Sequence, residues 1–256
     1  MSRKKGFFQS RNPVMGEKAF QRASNEVLDA DMTQAGSHTD RMTVSGAVNK
    51  SLLLGALMVA TAVLSYAAAN PILMWGGAIG GLIVVLIASF KLEYSPILAP
   101  IYAALEGLFV GGISAVYASA FDGIIFQAVT LTSAVFFLML FFYKTGIIKV
   151  TQKLRSGIIM ATGAIFVVYM LNFVLSFFGI NLPYLHEGGM ISIGISLLII
   201  AVAAMNLLLD FDNFDKGEKY GAPAYMEWFS AMGLLITLVW LYIEILRLIS
   251  IFSSSD

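Results

Sequence analysis

The 256-residue chain is 58% hydrophobic and only 12% charged, with a mean hydropathy of +0.81, whereas soluble domains carry about 25% charged residues; the lipid bilayer is its expected solvent. Its net charge is zero, without the clustered Lys/Arg excess that neutralises a phosphate backbone, so no nucleic-acid partner is expected. No cysteine is present, which excludes disulfides, thiolate nucleophiles and zinc–thiolate or iron–sulfur sites, and two histidines, His38 and His186, are too few for an imidazole metal cluster.

Residues 1–46 are polar and mixed in charge. They contain no apolar run that would serve as a signal peptide and read as a soluble preface. The Arg3-Lys4-Lys5 cluster suits a solvated tail or contact with anionic lipid. The second region, 47–256, divides into seven apolar runs of about 20 residues, the length a helix needs to cross hydrocarbon. They lie near 48–69, 71–90, 97–120, 123–143, 157–178, 190–209 and 227–252. The expected fold is all-α: a polytopic bundle of seven transmembrane helices.

The Asn70-Pro71 connection is so short that the first two helices are expected to form a tight antiparallel pair, with Pro71 in a first turn where its missing N–H is not needed. In the second helix Gly76, Gly77, Gly80 and Gly81 give overlapping GxxxG spacings, and Gly107 with Gly111 gives another in the third. Such spacing permits close backbone approach between helices. The connections after the first, third and fifth helices carry no Lys or Arg. By contrast Lys91, Lys144, Lys149, Lys153, Arg155, Lys216 and Lys219 fall on the side of the N-terminus. The positive-inside rule therefore places the N-terminus in the cytoplasm and, the spans being odd in number, the C-terminus opposite.

An ionisable group inside a span costs at least about 2.5–3.5 kcal/mol on insertion scales, so each asks for a reason. Glu106 lies near the middle of the third span, as a hydrogen-bonded neutral carboxyl or as part of an ion or proton relay. Tyr169 with Asn172 in the fifth reads as interhelical glue. Asp210 and Asp212 end the sixth and form a candidate cation site, or else a solvated helix end. Asn206 shares a face with Asp210, whereas Asp212 is rotated by about 200°. The acidic run lacks the Gly and Glu positions of an EF-hand loop.

The seventh span is the most informative. Glu227, Ser230, Leu234, Thr237, Leu241 and Glu244 recur at spacings of three and four, which confines them to a stripe of roughly 100°. The two carboxylates are about 25 Å apart along the axis. That pattern suits a path with a charge near each mouth, and makes this helix the expected centre of the bundle. It is equally what results if Glu227 marks a helix N-terminus and Glu244 pairs with Arg247. Arg247 is expected to snorkel to the far interface, with Trp228, Trp240 and Tyr242 as interfacial or packing aromatics. No nucleophile–base set, HExxH helix or GxSxG turn occurs, so no enzyme and no cofactor are expected.

With Ala103-Ala104-Leu105-Glu106-Gly107, the Asp-ended sixth helix, Leu246-Arg247-Leu248 and the Asn12-Pro13 preface in view, the chain resembles the transmembrane Bax inhibitor motif family, in its bacterial Bax-inhibitor/YccA-like branch, from about Val48 to the end. The resemblance implies a last helix surrounded by the other six, in a bacterial inner membrane. It also implies a pH-sensitive calcium leak gated by two aspartates, one ending the sixth helix and one within the seventh. The first falls on Asp210. The second falls on Thr237 when the C-termini are aligned through Arg247, or on Glu244 by local pattern. A basic latch partner corresponds to Lys91. Some relatives are instead interaction proteins that modulate a membrane protease or a stress pathway, and for these the cytoplasmic preface would be the contact.

Overall fold

A computed structural model describes residues 41–179 and 189–254. His38, His186, the Asn12-Pro13 motif and the Arg3-Lys4-Lys5 cluster lie outside them. Among the described residues seven helices, each long and apolar enough to cross a membrane, run as α1 (Val44–Ala68), α2 (Pro71–Phe90), α3 (Ser95–Ala120, preceded by a 3-10 turn Leu92–Tyr94), α4 (Ile124–Lys144), α5 (Gln152–Ser176), α6 (Met190–Lys219) and α7 (Tyr225–Ser253).

Local chemistry sets several ends. The Thr43 hydroxyl caps α1 by accepting from Gly46 N at 2.9 Å. Asn70 caps α2 by accepting from Ile72 N at 2.9 Å, with Pro71 in the first turn as expected. The connection between them turns through Ala69 in the left-handed region (φ 45°).

The first two helices do not form the tight pair expected from that short link. Each packs instead on α3, and these two contacts are the most extensive in the bundle. The glycines explain the preference. A Cβ on Gly107 would lie 2.3 Å from Met58 O, and one on Gly111 2.1 Å from Ala62 O, so α3 meets α1 backbone to backbone. On its other side, a Cβ on Gly77 of α2 would lie 2.5 Å from Leu105 O. The Ser65 hydroxyl donates to Leu108 O at 2.7 Å and fixes the α1–α3 register. The GxxxG spacings thus mark helix approach, with α3 as the common partner.

The last helix is central. Half of its most apolar stretch is buried, against about a twentieth for α5. It packs on α1, α3, α4 and α6, so the ring around it consists chiefly of four helices rather than six; α2 stands behind α3, and α5 leans on α6. Large apolar side chains such as Trp75, Phe126, Phe166 and Phe177 cover the outside, as a lipid-facing surface requires.

Two boundaries shift with consequences. Helix α6 continues ten residues past Leu209 to Lys219, because its acidic residues find partners on neighbouring helices instead of water. The polar preface was expected to reach residue 46, yet α1 starts at Val44 and Met42 is already buried, its N–H donating to Ala222 O at 2.7 Å.

Candidate functional site

All six residues of the α7 stripe are buried: Glu227, Ser230, Leu234, Thr237, Leu241 and Glu244. The stripe is packed and closed, with polar groups engaged at three levels.

At the N-terminal end of the bundle, Glu227 holds the start of α1. Its Oε1 accepts from Thr43 N at 2.9 Å and from the Thr43 hydroxyl at 3.0 Å, while Lys50 Nζ lies 3.1 Å from Oε2. A carboxylate at the positive end of a helix, with a lysine beside it, is stabilised on both counts. Gly46 is the residue that admits it, since a Cβ there would stand 1.9 Å from Oε1. The dipole expected to hold Glu227 is therefore that of α1 rather than only its own helix. Lys50 also stands 5.5 Å above the Trp228 ring.

The middle level is Asp210 against Thr237. Asp210 is 4% exposed; its carboxyl faces the Thr237 hydroxyl, which donates to Gly233 O at 3.3 Å, and its Oδ2 is buried without a partner. This excludes the solvated helix end. Of the two positions that the resemblance left open for a second gate residue, Thr237 is the one that faces Asp210. Glu244 is engaged elsewhere.

Asp212 turns away from Asp210, as its rotation requires, and is neutralised by Arg155 of α5 and by Lys216 one turn on, at 3.0 Å. The candidate cation site of Asp210 with Asp212 is thus not assembled. Among the described residues no cluster of three His, Asp or Glu side chains is placed to hold a metal ion.

At the opposite end Glu244 accepts from the Tyr169 hydroxyl of α5. Arg247 stands 3.0 Å from its Oε2, a charge contact without hydrogen-bond alignment, because that oxygen has no bonded donor. The same guanidinium donates to the Tyr169 hydroxyl at 2.7 Å and to Ser196 at 3.0 Å. Arg247 therefore turns into the bundle instead of snorkelling outward. Tyr242 serves packing, sharing a 2.7 Å hydrogen bond with Ser114 of α3.

Two predicted residues stand apart from this axis. Glu106 faces Tyr102, one turn back on its own helix, and fits against Gly81 of α2, where its Oε2 would be 2.9 Å from an added Cβ. Lys91 caps α2 with its ammonium 5.4 Å above the Tyr94 ring, and is exposed. Neither is brought to Asp210.

Sequence reasoning missed Arg155. It counted among loop cations, but α5 starts at Gln152, so Arg155 lies in its first turn, 5% exposed. It donates to Asp212 and, at 3.0 Å, to Asn213 Oδ1. Two turns on, Asn206 donates to Thr162 at 2.8 Å. The signal that was available is the equal spacing, seven residues from 155 to 162 and from 206 to 213, which matches two antiparallel helices.

Among known proteins, the family described as Bax inhibitor 1 like matches residues 12–254, nearly the whole chain. No curated protein and no solved structure matches it.

Proposed function

We propose that this chain, which belongs to the Bax inhibitor 1 like family, is a pH-responsive calcium leak channel held here in a closed state. The observation that carries this reading is Asp210: a buried carboxyl with one unpartnered oxygen, facing the polar stripe of the central helix. An ionised carboxylate there needs a compensating cation, and a proton removes the need, so protonation and cation entry compete for one group. Because Thr237 stands where a second carboxylate would close the latch, the gate takes up one proton and not a shared pair. Glu227 and Glu244 close the two mouths, each already neutralised by a lysine or an arginine.

The charge distribution supports a cytoplasmic N-terminus and a C-terminus on the other side of the membrane, which the family resemblance makes a bacterial inner membrane. No enzyme activity and no resident cofactor belong to this reading. Purified protein in proteoliposomes should admit calcium, with entry varying between about pH 6 and 8, and Asp210→Asn should remove that variation. Unchanged flux and pH response in the variant would sink the assignment.

A second reading, a non-conducting protein that modulates a membrane protease or stress response through its N-terminal segment, is favoured by one contact. Residues 41–43 clasp the α6–α7 turn through Met42–Ala222, the Arg41–Pro223 bridge and Thr43–Glu227, so a partner pulling on the preface would reach the central helix. Deleting residues 1–40, which spares the clasp, should abolish that modulation; modulation that survives the deletion overturns this reading.

A further inference from the structure

We propose that Arg155 is the exchangeable counter-ion of the gate, a positioning residue that resides on Asp212 in this state and transfers to Asp210 when Asp210 ionises. The proposal rests on the reading of Asp210 as the gate.

Asp210 is bracketed on its α5-facing side. Asn206, four residues before it, donates to Thr162 of α5, and Asn213, three residues after it, accepts from Arg155. Residues at these spacings share a helix face, so Asp210 lies at the junction of α5, α6 and α7, between two existing ties to α5 and opposite Thr237. Two complementary atoms are left over at this junction: Asp210 Oδ2 and Arg155 Nε are both buried, and neither has a hydrogen-bond partner. The guanidinium uses only Nη2 for Asp212 and Asn213. It also acts on the Asp210 carboxyl through space.

Transfer leaves no carboxylate stranded. Breaking a buried pair is costly because it leaves one charge uncompensated, but Asp212 has a second cation, Lys216, at 3.0 Å. Helix α5 has little packing to resist a shift of the guanidinium, since its span is scarcely buried and its helix-to-helix packing is on α6. The other charged groups nearby are occupied. Tyr143 of α4 donates to Asp215 of α6, and Lys50 of α1 is held by Glu227. From α7 the Thr237 hydroxyl is the polar group that meets Asp210.

Infrared difference spectra in lipid test the exchange, using the carboxylic-acid C=O band of Asp210, assigned by its loss in Asp210→Asn. Arg155→Gln should let Asp210 keep its proton until the proton concentration is about tenfold lower, a one-unit shift in pH, and Arg155→Lys should restore most of the wild-type position. Asp212→Asn, which frees the guanidinium, should move the band the opposite way, and that displacement should vanish in the Arg155→Gln background. The proposal is overturned if Arg155→Gln leaves the band in place, or if the Asp212→Asn displacement persists undiminished without Arg155. Should Arg155→Gln fail to fold, Lys216→Gln, which pins the guanidinium on Asp212, must shift the band in the direction given for Arg155→Gln; no shift overturns the proposal. The band needs no conduction, so a chain that passes no calcium fails the channel reading while leaving this exchange testable.

Discussion

Helices α3 and α5 are both spanning segments of similar length, but they are attached by opposite means. Helix α3 sits between α1 and α2 with backbones in contact, at Gly107, Gly111 and Gly77. Helix α5 leans on α6 and is tied by polar bonds at three depths: Arg155 to Asp212 and Asn213, Thr162 to Asn206, and Tyr169 to Glu244 and Arg247. In hydrocarbon, close packing is position-specific and cannot be rearranged without separating the helices. Polar ties can be exchanged one at a time. The difference sets the close-packed group α1–α3 apart from α5, whose attachment is polar and thinly packed.

The largest effect that tests this division is steric. Gly111→Val should destabilise the bundle by about 3 kcal/mol or more, because the added Cβ meets the Ala62 carbonyl and not a flexible side chain. Thermal unfolding in detergent reads it. The matched control is Gly163→Val on α5, where nothing lies within 4 Å of the added Cβ and the change should stay within about 0.5 kcal/mol. Equal losses at the two sites would break the contrast.

Next comes Tyr169→Phe, which removes a bond to each member of the Glu244–Arg247 pair and should cost about 1–3 kcal/mol. If α5 is the movable element, distances between spin labels on α5 and α7, readily placed in a chain without cysteine, should broaden in this variant. Distances between α1 and α3 should not. Thr43→Val removes the α1 cap and one of the bonds to Glu227, and should cost about 1 kcal/mol in the same unfolding assay. The smallest effect is Thr162→Val, about 0.6 kcal/mol, the average for a single hydrogen bond between membrane helices.

Much of this was legible in the sequence, for physical reasons. Seven runs of hydrocarbon length specify seven spans because the bilayer tolerates few alternatives, and the stripe from Glu227 to Glu244 picked out the central helix. The GxxxG spacings identified the close approaches without saying between which helices. A short loop limits the distance between helix ends but not which faces meet, so Asn70-Pro71 suggested a pairing that α3 in fact mediates. Charges near a span's end read as solvated because hydropathy carries no information about partners. Asp210 and Asp212 accordingly read as a cation site or a solvated helix end, and Arg155 as a loop cation, whereas α6 continues to Lys219 and α5 begins at Gln152. The direction of Arg247 was illegible for the same reason: its pairing with Glu244 could be read from their spacing, but Tyr169 and Ser196 come from two other helices.

The placement of α3 between its two predecessors also gives the chain's assembly an order in time. Helices α1 and α2 are synthesised first and joined by the tight link at Ala69 and Asn70, yet the faces they bury belong to a segment that has not emerged. Gly77 and the Met58–Ala62 backbone must stay in lipid, or be shielded, until α3 arrives and enters the cleft between them. During that interval the newborn hairpin presents small-residue surfaces to any other helix in the membrane, which makes the pace at which the third span leaves the ribosome a determinant of how much chain matures correctly.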